Sequence, residues 1–351
     1  MRAAFLAAAN SWHTVRWVRA VQSGVEVHAY SFDPNPFMTD DECTVISSRV
    51  PNKLRYIFGE EDYRRCLEKF KPDIVHSHYA TGYGFVGAKI NQHPFVVSVW
   101  GSDIFDWPTK SPLHKYFLQW ILGRADAVCA TSQKLYEGTV KVFPQFESKV
   151  RVIPFGIDMN LFKPAQIGGD KNEVVLGTVR KFDKIYQLDL LMEVFDELSA
   201  DFDNLQLKIA GEGPERENLL NLRQSLKSKE KIEILPFIPN DKLPGFLNSL
   251  DIFAIPSKFE SYGVAALEAG ACGLPVAGFA VGGLTEIVRD GESGYLVEKN
   301  NRSALKSALV KLIEDSELRK KLGRRGRELA LQKADIKASA DLLIDLYQKL
   351  L

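Results

Sequence analysis

Residues 255–296 read IPSKFESYGVAALEAGACGLPVAGFAVGGLTEIVRDGESGYL. Two carboxylates, Glu260 and Glu268, stand eight positions apart in a run otherwise almost free of charge and punctuated by glycine. The pattern predicts a strand end, a tight turn holding Glu260, and a helix carrying Glu268 about two turns in. At a rise of ~1.5 Å per residue the two carboxylates then lie about 12 Å apart or less along the helix axis. An apolar helix with a buried carboxylate needs a partner for it, because unpaired burial costs several kcal/mol. Ser261, Tyr262, Gly263 and Val264 fall where the helix begins, and the free N–H groups there, aided by the helix dipole, favour phosphate. A ligand with sugar hydroxyls at both ends and phosphates between them fits this segment, which describes a nucleotide-diphosphate sugar. The competing reading is an ordinary buried helix in which protein groups satisfy Glu268.

Working outward, 351 residues exceed what one core usually supports, so two domains are expected. Apolar residues make up 45%, and 45 basic residues balance 45 acidic ones. A formal charge of zero argues against nucleic acid as an obligate partner. Cys43, Cys66, Cys129 and Cys272 have neither C-x-x-C spacing nor a nearby histidine pair, so neither a zinc site nor a disulfide framework is expected, and a reducing cytosol suits them. The opening AAFLAAAN reaches polar residues too soon for a signal peptide and reads as a first buried strand. Residues 264–284 are apolar enough to suggest a membrane span, but Glu268, Pro275 and several glycines argue against it. Any membrane contact is expected to be peripheral.

Short apolar runs at 3–8, 25–30, 73–76, 95–99, 127–130 and 150–153 alternate with amphipathic segments. A second series runs through 174–178, 206–210, 232–235, 252–255 and 275–278. Such alternation predicts an α/β protein with parallel sheets covered by helices. The polar stretch KPAQIGGDKNE places the linker near 164–172, giving domains 1–164 and 172–335. In the tail, Ile336, Ala340, Leu343, Tyr347 and Leu350 mark one helical face across 336–351.

After the first strand of the second series comes GTVRKFDKIYQ, where Arg180 and Lys184 present two cationic positions suited to one diphosphate, with Lys181 a rival for either role. Solvated surface charge is the plain alternative. The Gly211-Glu212-Gly213-Pro214 turn is not a dinucleotide fingerprint, since position 216 is Arg216 rather than glycine. An oxidoreductase is therefore not expected.

KFESYGVAALEAGACGLPVAG resembles the E-x7-E signature of the retaining glycosyltransferases of family 4, whose GT-B fold sets two Rossmann-like domains face to face across a cleft. VGGLTEIVRDGESGYLV is similar to the family's following segment, and VIPFGIDMNLFKP, ADAVCATSQKL, PDIVHSHYATGYG and VVSVWGSDIFDWP extend the likeness upstream in the expected order. The resemblance implies the acceptor on the N-terminal domain, the nucleotide-sugar donor on the second, and a last helix that crosses back to the first domain. It implies Arg180 and Lys184 on the donor pyrophosphate, Glu260 at the transferred sugar, and Glu268 on the ribose hydroxyls. It also implies a G-x-G-P turn bordering the donor pocket, no metal or other cofactor, and a UDP-sugar ahead of a GDP-sugar, with Phe237 a candidate neighbour of the base.

Two departures from the family fall in the first domain. In place of a glycine-rich loop the chain has AANSWHTVRW, so Asn10, Ser11 and His13 take over that loop's part. Trp100 replaces the usual sugar-contacting histidine, leaving Asp103 or His78 as replacements, with a capping aspartate and a packed histidine as the plainer readings. WGSDIF and HSHY are most similar to members that build cell-surface polysaccharides, which implies a saccharide or lipid-linked saccharide acceptor at the inner membrane face. The alternatives kept open are a nucleotide-sugar 2-epimerase and a non-catalytic nucleotide-sugar-binding subunit.

Overall fold

The computed structural model describes residues 1–48, 50, 52–165 and 173–351, so all but the first two positions of the expected linker lie outside the described residues. The first sheet comprises β1 (Arg2–Leu6), β2 (Glu26–Ser31), β3 (Cys43–Val45), β4 (Ile74–His78), β5 (Phe95–Val99), β6 (Ala127–Ala130) and β7 (Val150–Val152). These strands are parallel, in the order β3-β2-β1-β4-β5-β6-β7. The second sheet comprises β8 (Val174–Val179), β9 (Leu205–Ala210), β10 (Ile232–Leu235), β11 (Ile252–Ile255), β12 (Val276–Phe279) and β13 (Gly294–Val297), also parallel, in the order β10-β9-β8-β11-β12-β13. Each sheet is wound outward from its first strand and then restarts on the other side. The switch points lie between β1 and β4 and between β8 and β11, and in such sheets ligands bind beyond the carboxyl ends of the strands at that place.

The central strands are near-continuous apolar runs because helices cover both faces of a parallel sheet. Ala3 through Leu6, Phe95 through Val97, and Ile252 through Ile255 are completely buried. The expected strands are present, and two edge strands were not expected. β3 is three residues long, too short to show a period, and β13 begins inside the glycine turn of DGESGYLV, which masks its pattern.

The chain divides into two compact units, residues 1–156 with 336–351, and residues 157–335. This corrects the expected boundary at 164 to 156. Phe162 is fully buried, the Ile157 N–H donates to the Ala334 carbonyl, and the Arg327 guanidinium donates to the carbonyls of Met159, Phe162 and Ala271, so residues 157–164 are fastened into the second unit. The last helix, Ile336–Leu350, belongs to the first unit. Ala340, Leu343 and Tyr347 are its buried stripe, and the Tyr347 hydroxyl lies 2.5 Å from His76 Nδ1 on β4. The opposite ring nitrogen of His76 is 2.8 Å from Ser98 Oγ on β5.

Burial lowers His78 to about 3 from the ordinary 6.5, and burial followed by the neighbouring His78 charge holds His76 well below 6.5. As pH falls below 6.5 the unfolded chain takes up protons that these two folded histidines refuse, so stability declines. The urea midpoint is expected to be level from pH 8 to 7 and to fall between pH 6.5 and 5, above the carboxylate range. The fall should be shallower in His78→Phe, and a level midpoint across pH 6.5 to 5 contradicts the assignment.

Candidate active site

At the carboxyl end of β8 the chain runs through Thr178 and Val179 to Arg180, whose N–H donates to the Ala210 carbonyl at 3.0 Å. The 211–214 turn lies directly on this segment. A Cβ at Gly211 would sit 1.8 Å from the Arg180 carbonyl oxygen and one at Gly213 would sit 2.3 Å from that of Phe182. Glycine is required there for close backbone approach. The turn after β11 is held in the same way. The Gly283 N–H donates to the Glu260 carbonyl at 2.9 Å, and a Cβ at Gly282 would stand 1.8 Å from that oxygen, with φ at +47°. Two glycine turns thus fix the backbones that carry Arg180 and Glu260.

Their side chains meet. Arg180 Nη2 is 2.9 Å from Glu260 Oε1, with the side chains 9% and 8% exposed. The contact is an ion pair without hydrogen-bond alignment, and Arg180 Nε and Nη2 and Glu260 Oε1 have no hydrogen-bond partner among the described residues. The same holds for the buried hydroxyls of Thr178 on β8 and Ser257 beyond β11. Tyr186 places its ring 5.3 Å from Arg180 Cζ. Its hydroxyl pKa is raised by burial first and by the Glu260 charge, while Arg180 pulls it down. A buried ion pair is well stabilised only when further hydrogen bonds satisfy its remaining donors and lone pairs. This one leaves them available at the switch point of the second sheet, the place where a polar ligand belongs.

Gly263, at φ +95°, turns the chain into the helix Val264–Ala271, with Tyr262 buried beside it and Ser261 half-buried. Glu268 is the fifth residue of this helix, so it stands little more than one turn in rather than about two. It is 5% exposed, and its charge adds to burial in pushing the Cys272 thiol up to about 12. The helix is braced from behind by Ser316–Lys333. Gly326 packs against Gly270, and a Cβ at Gly323 would fall 1.9 Å from the Gly273 carbonyl oxygen. At the helix's negative end the Arg327 guanidinium donates to Ala271 O at 2.9 Å.

The other donor-side residues stand apart from the pair. Lys184 is exposed in the short turn Lys184–Tyr186 and lines a surface pocket with Asp183, Asp189 and Glu215. Lys181 is also exposed. Phe237 follows the edge strand β10 and is half exposed.

In the first unit, three of the singled-out residues converge. His13 stacks on Phe155 with ring centroids 4.7 Å apart and meets Trp100 edge-on at 5.8 Å, while Trp100 lies 5.4 Å from His78 and 5.3 Å from Phe155. His13 Nδ1, His78 Nδ1 and Trp100 Nε1 have no hydrogen-bond partner among the described residues. Burial, with Arg16 second, lowers His13 to about 3, so both imidazoles are neutral at pH 7. Ser11 occupies the N-cap position of the helix Trp12–Val21 without a side-chain capping bond, and Asn10 is exposed in the loop before it. Asp103, expected near the chemistry, has its carboxylate occupied by the backbone N–H groups of Ala80, Trp100 and Gly101. It ties the loops after β4 and β5 together, which is a bracing role rather than an acid–base one. Sequence reading missed Thr178, Tyr186, Ser257 and Phe155. Two of the four, Thr178 and Ser257, sit within two positions of a strand end, and that placement is the signal that could have found them.

Two Rossmann-like units of this order define the GT-B class, and the comparisons with known proteins agree. Residues 160–329 match the family described as glycosyl transferases group 1, and residues 2–132 match glycosyl transferase 4-like. The chain is 27% identical over 315 residues to an uncharacterized glycosyltransferase of Methanocaldococcus jannaschii, covering 87% of this chain and 85% of that one. It is 28% identical over 275 residues to the N-acetyl-alpha-D-glucosaminyl L-malate synthase of Bacillus anthracis, covering 73% and 69%. The structure of Anabaena HepE in complex with UDP-glucose superposes with a TM-score of 0.84 at 18% identity over the whole of both chains. The chain belongs to the group 1 glycosyltransferases. Neither the epimerase nor the non-catalytic alternative is favoured by these likenesses.

Removing one member of a buried ion pair typically costs ~3–5 kcal/mol, whereas an apolar replacement of both can be neutral. Arg180→Met and Glu260→Leu alone are expected to lower the urea midpoint markedly, and the double variant to recover most of the loss. Additive losses in the double variant would show that the two side chains are not coupled.

Proposed function

We propose that the chain transfers a hexosyl or N-acetylhexosaminyl group from a UDP-sugar to an acceptor hydroxyl with retention at the anomeric carbon. The acceptor is a saccharide or lipid-linked saccharide of cell-surface polysaccharide assembly, and the enzyme works in the cytosol at the inner membrane face. The observation that carries the donor reading is the set of buried polar groups without hydrogen-bond partners at the carboxyl ends of β8 and β11, with Arg180 and Glu260 at its centre. The four cysteines are free thiols, in keeping with a reducing compartment. No helix among the described residues is long and apolar enough to cross a membrane.

In this reaction the acceptor oxygen attacks the anomeric carbon as the bond from that carbon to the diphosphate oxygen breaks. Negative charge grows on the departing diphosphate and positive charge on the sugar ring. Arg180 and the N–H groups opening the helix at Gly263 stabilise the diphosphate electrostatically, with Lys184 swinging in from the surface, so no divalent cation is assigned to the step. The acceptor proton passes to the leaving phosphate oxygen, which fits neutral histidines in the first unit. Glu260 accepts from the sugar hydroxyls and Glu268 from the ribose hydroxyls.

UDP is expected to raise the melting temperature more than GDP, ADP or CMP do, and the shift to vanish in Glu268→Ala. In transfer assays, folded Arg180→Ala and Glu260→Ala should be slower by about 100-fold or more. Wild-type rates in both variants would refute the assigned site, and conversion of the donor sugar without an acceptor would favour an epimerase.

A further inference from the structure

Arg180 has a second neighbour besides Glu260. The centroid of the Tyr186 ring lies 5.3 Å from Arg180 Cζ, inside the ~6 Å range over which an aromatic face attracts a guanidinium. Tyr186 is partly buried and packs on the apolar core of the second unit, and the Arg180 side chain is 9% exposed. A cation–π contact withdrawn from water in this way is stronger than one on an open surface.

The two neighbours hold the guanidinium differently. Glu260 meets it at Nη2, so a carboxylate there competes with any other anion for the same nitrogen. Attraction to the ring consumes no hydrogen-bond donor, and Nε and Nη2 have no hydrogen-bond partner among the described residues. An arginine released by its carboxylate regains the freedom of several side-chain torsions. Electrostatic stabilisation of a leaving group depends on donors that are already aimed when charge develops. A neighbour that restrains Arg180 without occupying its N–H groups meets both conditions.

The turn that carries Tyr186 is pinned at several points. The Asp183 carboxylate accepts from the Ile185 N–H at 3.3 Å, and the Tyr186 N–H donates to the Asp183 carbonyl at 3.0 Å. The Ile185 carbonyl accepts from the Lys258 N–H at 2.8 Å, which ties the turn to the segment between β11 and Glu260. Gln187 leaves the turn at φ +48°, a left-handed conformation that a residue with a Cβ keeps only where its surroundings dictate it. Its side-chain Oε1 is buried without a hydrogen-bond partner among the described residues. Such concessions collect beside functional sites.

We propose that Tyr186 is a positioning residue whose ring keeps the Arg180 guanidinium aimed in both the empty and the donor-bound enzyme, so that Glu260 can release it to the diphosphate. The inference rests on the donor reading above and adds the group through which Arg180 is held. The test is a double-mutant cycle in the full chain, with UDP affinity measured by titration calorimetry. Tyr186→Leu and Tyr186→Met, two replacements without a ring, should each bind UDP about tenfold more weakly, and Tyr186→Phe should regain most of that loss. Adding Tyr186→Leu to Arg180→Met should weaken UDP binding less than twofold further, because the ring acts through the guanidinium. Urea midpoints of the same set without ligand should show the same coupling. UDP binding at wild-type strength in the two ringless variants, the same tenfold loss in the Arg180→Met background, or a Tyr186→Phe variant as weak as Tyr186→Leu overturns the proposal. If wild type binds UDP, Glu268→Ala abolishes that binding and the ringless variants do not alter it, this proposal alone falls. Absence of UDP binding by wild type removes the donor reading and the proposal with it.

Discussion

The second unit is organised around a buried ion pair, Arg180 with Glu260, that is held in place by backbone rather than by side-chain partners. Gly211 and Gly213 let one turn lie against the Arg180–Phe182 backbone, and Gly282 and Gly283 let another lie against Glu260 and Ser261. Both backbones are therefore set before any ligand arrives. The side chains, 2.9 Å apart and nearly enclosed, keep hydrogen-bonding capacity that the protein does not fill. A preorganised, desolvated charge pair of this kind is costly as a purely structural device and well suited to a ligand carrying both phosphate and hydroxyl groups. The helix Val264–Ala271 is locked by the same logic, through close glycine contacts with Ser316–Lys333 and the Arg327 cap on its carbonyl end.

The first unit uses different chemistry at the equivalent strand ends. Its groups are aromatic and neutral: His13, His78, Trp100 and Phe155 in mutual contact, with both imidazoles held unprotonated at pH 7. Asp103, buried beneath them, is occupied by three backbone N–H groups and fixes the loops that carry Tyr79 and Trp100. These four rings form an uncharged aromatic cluster, whereas the buried ion pair lies in the second unit.

Much of this was legible in the sequence, for identifiable reasons. The long apolar runs of β1, β5, β8 and β11 carry the parallel-sheet signal directly, and the spacing of Glu260 and Glu268 and the position of Arg180 after a strand drew attention to this part of the second unit, while the 211–214 turn entered only through the family resemblance. β3 and β13 escaped because an edge strand of three or four residues has no room for a period. The domain boundary was misplaced by eight residues because the polar linker drew the eye, while the burial of Phe162 and its bond to Arg327 depend on a residue 165 positions away. Thr178 was passed over because a hydroxyl in an apolar strand reads as core until the opposing strand is known, and Tyr186 because it lies in a short turn whose packing on Arg180 depends on the fold. The pairing of Arg180 with Glu260 was not foreseen either, because each was assigned to a different part of the ligand.

The most direct test of the account is a crystal structure of the chain with a UDP-sugar bound. The account predicts the diphosphate within hydrogen-bonding distance of the Arg180 guanidinium and the N–H groups at Gly263, with Glu260 turned to the sugar hydroxyls and Glu268 to the ribose. A diphosphate bound elsewhere, with the Arg180–Glu260 contact unchanged from its 2.9 Å, would contradict it.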